Sequence, residues 1–230
     1  MTNKKGIAIV TGADAPIGRA VAIRLAGEGY DILAQCSVHD DSLSEELSSA
    51  GVKVLVVSKD LRSADSVKEL IDLCVDQLGR DVAVLVNAQR VLPPRQFTEA
   101  TSQHISDAVA VNVLGSMHMV HFVLPLMLER KSGSIINVSD VSSFGDKKNA
   151  IFGATMAGLN GLTKLLAVDY TGLGISTNTV TACQYDDAFL CAPGQLNAGA
   201  EDVADACAYL VAHPKLSGQN LSFAGGKPVL

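Results

Sequence analysis

The stretch GIAIVTGADAPIGRA, residues 6–20, decides how the rest of the chain is read. An apolar run over 6–11 leads straight into a glycine-bearing loop, and a helical pattern follows over 16–27. A strand that feeds a glycine loop and then a helix begins a βαβ unit. The loop amides and the helix N-terminus of such a unit face an anion, most often the phosphates of a dinucleotide. Pro16 stands where the backbone should come closest to those phosphates. It adds a ring and removes an N–H donor. Proline is also a good first residue of a helix, so it favours the helix while weakening the anion site.

The same alternation runs to the C-terminus. Strand-like runs are expected at 6–11, 31–36, 52–58, 82–86, 134–139, 175–181 and 220–223. Helical patterns lie between them at 16–27, 42–50, 63–78, 101–129, 151–170 and 201–212. Strands that are apolar on both sides belong in a parallel sheet covered on both faces. Strict β–α alternation predicts one doubly wound, Rossmann-like α/β domain over residues 1–230, with a seven-stranded parallel sheet.

Composition agrees with a packed domain: 48% of residues are hydrophobic and 18% charged, so a large core forms and disorder is disfavoured. No apolar run is expected to reach the length of a membrane span. The N-terminus lacks the cleavage region of a secretory signal. A net charge of −6 argues against nucleic acid or anionic lipid as the main partner. Cys36, Cys74, Cys183, Cys191 and Cys207 are scattered, odd in number and without a CxxC pair, which reads as free thiols in a reducing cytoplasm. His118 and His121 are spaced to share a metal, but no Cys, Asp or Glu lies within a turn of them, so no metal site is expected.

Taken in order, the motifs resemble those of the short-chain dehydrogenase/reductase family over the whole chain. Thr11, Gly12 and Gly18 match its glycine loop, with Pro16 in place of the middle glycine; Asp60 matches an Asp that contacts adenine. VLVNAQ, with Asn87, resembles the motif after the fourth strand, and Asn112 matches an active-site Asn. The resemblance implies NAD(P)-dependent oxidation or reduction by a Ser, a Tyr and a Lys one helical turn after the Tyr. Here those positions carry Asp140, Phe152 and Met156. Phenylalanine has no proton to give, and methionine supplies neither a charge nor a donor. Loss of positioned acid–base groups costs about 10²–10⁴ in rate. Asp140 as a substitute base is the alternative. Cys36 stands where an acid would hold the ribose, Gln89 replaces a glycine, and the substrate loop, residues 183–199, is short.

These departures predict a chain with no catalytic residues of its own and only a vestigial cofactor site at Gly12, Pro16, Gly18, Asp60 and Asn87. Helices 101–129 and 151–170 are apolar nearly all round, where a sheet-covering helix needs a polar face. In the family the equivalent helices, with the C-terminal segment, form subunit contacts. An inactive subunit paired with an intact, NAD-carrying homologue is therefore the leading expectation, as a heterodimer or α2β2 heterotetramer. A dinucleotide or metabolite sensor and an oxidoreductase with atypical residues remain the alternatives.

Overall fold

The computed structural model describes residues 5–38, 40–145, 148–182 and 199–223. In these residues seven strands form one sheet in the order β3-β2-β1-β4-β5-β6-β7. They are β1 (Ile7–Thr11), β2 (Asp31–Cys36), β3 (Val54–Ser58), β4 (Val82–Asn87), β5 (Gly133–Asp140), β6 (Ile175–Ala182) and β7 (Asn220–Phe223). Every neighbouring pair is parallel. The helices are α1 (Pro16–Gly27), α2 (Asp41–Ser48), α3 (Ala64–Gln77), α4 (Ser102–Val109), α5 (Gly115–Arg130), α6 (Ala150–Tyr170) and α7 (Ala200–Ala212).

Because successive strand residues point to opposite faces, a parallel sheet needs apolar residues at both parities. In β1, Ala8 and Val10 join one core with Val21 and Leu25 of α1, Leu47 of α2 and Cys207 of α7. Ile7 and Ile9 join the other, with Leu70 of α3, Met119 and Met127 of α5 and Ile135 of β5. Helix starts follow from local chemistry. The Asp40 side chain accepts from the Leu43 N–H and begins α2, and Ser63 accepts from the Ser66 N–H and begins α3. Such caps contribute about 0.5–2 kcal/mol each.

A buried polar seam crosses the second face. Asn87 Nδ2 donates to Asn137 Oδ1 at 2.9 Å, and Asn137 Nδ2 donates to Thr163 Oγ1 at 2.9 Å. Thr179 Oγ1 donates to Thr163 Oγ1 at 2.8 Å. The seam ties β4, β5 and β6 to α6.

Two expectations are corrected. The single helix over 101–129 is α4 and α5 joined by a π-helical turn, Ala110–Leu114, whose extra residue turns Asn112 inward. Such single turns often mark functional positions. The expectation that no segment reaches membrane-span length also fails. Ser102–Arg130 and Ala150–Leu173 are long and apolar enough by length and composition, with mean hydropathies of 1.6 and 1.3. In this fold both cover the sheet, and 44% of the most apolar 18-residue window in each is buried. Their outward faces retain Val109, Leu114 and Met117, and Leu165 and Val168 at 68% and 82% exposure.

Candidate active site

Between β1 and β4 the strand order reverses direction, and in open α/β sheets ligands bind at the carboxyl ends of strands at this point. A cleft of about 510 Å³ lies there, lined by Gly12, Asp14, Gln35, Asp60, Arg62 and Gln89 among others. Gly12 has φ +65°, and a Cβ on it would lie 2.7 Å from Gln89 Cα. A Cβ on Gly18 would lie 2.2 Å from the Gly12 carbonyl oxygen. Gly18 is thus required for the helix to pack on the loop, with or without a ligand. Pro16 opens α1 and lines a groove toward α7, not this cleft. What it takes from the loop is an N–H donor rather than space in the cleft.

The loop is occupied by its own chain. The Gly12 N–H donates to Gln35 Oε1 at 3.0 Å, and Gln35 Nε2 donates to the Cys36 and Lys59 carbonyls at 3.0 and 2.8 Å. Gln89 Oε1 accepts from Thr11 Oγ1, and Gln89 Nε2 donates to Ser116 Oγ at 3.0 Å. Nothing in the sequence marks Gln35, which looks like an ordinary interior strand position.

At the ribose end, Cys36 is fully buried in the core, and burial, followed by the charge of Asp14, pushes its thiol up to about 11. The acid near this strand end comes instead from the loop after β1. Asp14 Oδ2 accepts from the Ser37 and Val38 N–H groups at 3.0 and 3.3 Å and from the Ser37 hydroxyl. Asp14 lies outside the strand to whose end the family pattern assigns this acid, so the local sequence does not mark it. Asp60 does line the cleft. The Arg62 guanidinium, 2.8 Å away, holds its carboxyl below the usual range.

At the other end, Asp140 closes β5 and is buried. It accepts from the Ser142 N–H at 2.8 Å and so begins the short helical turn Val141–Phe144. Ser139 points the other way, donating to the Met156 carbonyl at 3.3 Å. Asn112 accepts from the Val91 N–H at 2.7 Å and donates to the Val91 carbonyl and to Thr155 Oγ1 at 3.1 and 3.0 Å. Its carboxamide clamps the β4–α4 loop to α6. Phe152 and Met156 pack with Leu159 in a small buried apolar cluster. Asn87 belongs to the polar seam rather than to the cleft lining.

His118 Nδ1 lies 3.0 Å from the Leu61 carbonyl oxygen, and His121 meets Phe122 edge to face. The short loop and most of the C-terminal segment, residues 183–198 and 224–230, lie outside the described residues.

A nicotinamide dinucleotide is a poor fit to these groups. The Gly12 amide is engaged within the chain, residue 16 has no N–H to offer, and Met156 is a buried thioether where a charged ribose anchor would stand.

A family model described as short chain dehydrogenase matches residues 6–187. The chain is 34% identical over 177 residues to the 3-oxoacyl-(acyl-carrier-protein) reductase FabG of Staphylococcus epidermidis, covering 75% of this chain and 72% of that one. The corresponding protein of Staphylococcus aureus strain Mu50 matches to the same extent. An uncharacterized oxidoreductase of S. epidermidis is 26% identical over 215 residues, covering 92% of this chain and 93% of its own. With its parallel seven-stranded sheet, its glycine loop at the switch point and these relatives, the chain belongs to the short-chain dehydrogenase family of oxidoreductases.

Proposed function

We propose that this chain is a catalytically inactive member of its family that assembles with an active homologue. The homologue would carry NAD(H) and perform the hydride transfer. The observation that carries the reading is the burial of Phe152 and Met156, each 1% exposed, at the two positions where the family resemblance puts its proton donor and its cation. Neither side chain exchanges a proton, and both are packed into the core.

Apolar side chains on the outward faces of α4, α5 and α6 support pairing through helices 101–129 and 151–170, with the C-terminal segment as a second contact. Exposed apolar patches of this kind mark contact sites. The substrate of the complex is proposed as a hydroxyacyl thioester. The degenerate motifs resemble those of the inactive subunit of the 2-(α-hydroxybenzyl)succinyl-CoA dehydrogenase of anaerobic toluene degradation, which makes that compound the first substrate to test.

A second reading is favoured by the relatives, of which the FabG proteins are named as reductases. In that reading the chain turns over a carbonyl substrate with Asp140 and Asn112. The hydrogen bonds of both side chains to neighbouring backbone weigh against it. A sensor that binds a dinucleotide in the cleft is the third.

Co-expression with a motif-intact family member from the same genome, followed by native mass spectrometry and NAD(H) assays, separates the three. The subunit reading expects a stoichiometric complex that is active and an isolated chain that is not. Turnover by the isolated chain supports the second reading, and saturable NADH binding without turnover supports the third.

A further inference from the structure

We infer that the switch-point crevice is ligated from within. The Gln35 carboxamide takes the loop amide that an entering dinucleotide would need, and the Gln89 carboxamide ties the facing side of the same crevice, so the loop is held by its own chain. Gln35 Oε1 accepts from the Gly12 N–H at 3.0 Å while Gln35 Nε2 spans to the Cys36 and Lys59 carbonyls. One carboxamide thereby joins the carboxyl ends of β1, β2 and β3. Gln89 joins the other side, from Thr11 on β1 to Ser116 on α5. The Ser116 hydroxyl then donates to the Asn112 carbonyl at 3.1 Å. The Ala88 N–H donates to Thr11 Oγ1 at 3.1 Å, so the same hydroxyl braces the start of the β4–α4 loop.

Physical chemistry supplies the reason for such a device. A loop N–H that awaits a phosphate must be paired or wet when no phosphate is bound, because an unpaired buried donor is costly. A chain that never receives the ligand gains by supplying the acceptor itself. An acceptor tethered on a neighbouring strand is present at high effective concentration, so a competing ligand has to displace a bond already made. Asp14 acts in the same direction, since its carboxylate lines the same cleft and repels a phosphate. The inference concerns folding and loop protection rather than turnover, so it can fail while the subunit reading stands.

The test is amide hydrogen exchange and thermal unfolding of the full chain, with and without excess NADH. The Gly12 N–H is expected to be protected without any ligand, and to exchange about tenfold faster in Gln35→Met, which keeps the side-chain volume and removes the acceptor. Gln89→Met is expected to lower Tm by roughly 2–8 °C, and the exposed control Gln96→Ala to leave it unchanged. NADH should alter neither readout in the parent chain. Rapid Gly12 exchange in the ligand-free parent would overturn the inference, even if the variants fail to fold. So would a Gly12 amide whose protection or Tm rises on adding NADH, or a Gln89→Met variant as stable as the parent.

Discussion

Phe152 and Met156 stand one turn apart on the same face of α6, and each is 1% exposed, packed with Leu159 beneath the end of β5. The i, i+4 spacing that would bring an acid and a cation to one ligand here brings two apolar side chains into one core.

Restoring the family pair is therefore expected to damage the fold before it helps any chemistry. Met156→Lys places an ammonium among the packed apolar side chains of Phe152 and Leu159, and taking a charge out of water into such a site costs several kcal/mol. Phe152→Tyr/Met156→Lys should lose stability by that order in urea titration and show no NADH oxidation. Dehydrogenase activity in the double variant would contradict both the packing argument and the proposed inactivity.

Gly18 gives a separate test of what the retained motif is for. A Cβ there would lie 2.2 Å from the Gly12 carbonyl oxygen, a distance that forces α1 away from its strand. Gly18→Ala is expected to destabilise the ligand-free chain by more than about 2 kcal/mol, measured by chemical denaturation. A variant as stable as the parent would mean that the glycine serves a ligand instead.

The outward face of α6 tests assembly. Val168→Asp and Leu165→Glu alter side chains that are 82% and 68% exposed, so the isolated chain should change in stability by no more than about 0.5 kcal/mol. In a complex built on that face, either change buries an unpaired charge. Native mass spectrometry of the co-expressed pair should show the complex reduced at least about tenfold. An undiminished complex would move the contact elsewhere.

The buried thiols set a pH prediction. Burial pushes Cys36 up to about 11 and Cys74 and Cys207 up to about 12, from an ordinary value of 9.0. The folded chain therefore holds these protons more tightly than the unfolded one. The associated stability is complete below pH 9 and is lost as pH rises from about 9 through 11 and 12. At pH 8 only about one Cys36 in a thousand is thiolate. Alkylation mapped by mass spectrometry should spare these three cysteines until the chain is unfolded, and rapid labelling of native Cys36 would count against its burial.

The fold was legible because parallel strands buried on both faces leave long apolar runs, and β2 and β7 have the bounds that the runs predict. The break in the helix over 101–129 was not legible, since a π-helical turn has no composition of its own and comes from how Asn112 reaches Val91 and Thr155. The replaced positions at 152 and 156 stood out because the spacing around them survives. Gln35 and Asp14 did not, because their roles depend on partners about twenty residues away across strands, at Gly12, Ser37 and Lys59. Sequence spacing carries no sign of such contacts.

The seam from Asn87 through Asn137 and Thr163 to Thr179 has a consequence for how this chain can change over time. Sliding or rotating α6 by one residue would strand several carboxamides and hydroxyls in a dry interior, so the helix is pinned in azimuth by groups that take no part in proton transfer. Thr163 shares the buried face of α6 with Phe152 and Met156, so a helix fixed in this way keeps Leu165 and Val168 turned outward whatever chemistry the buried positions carry.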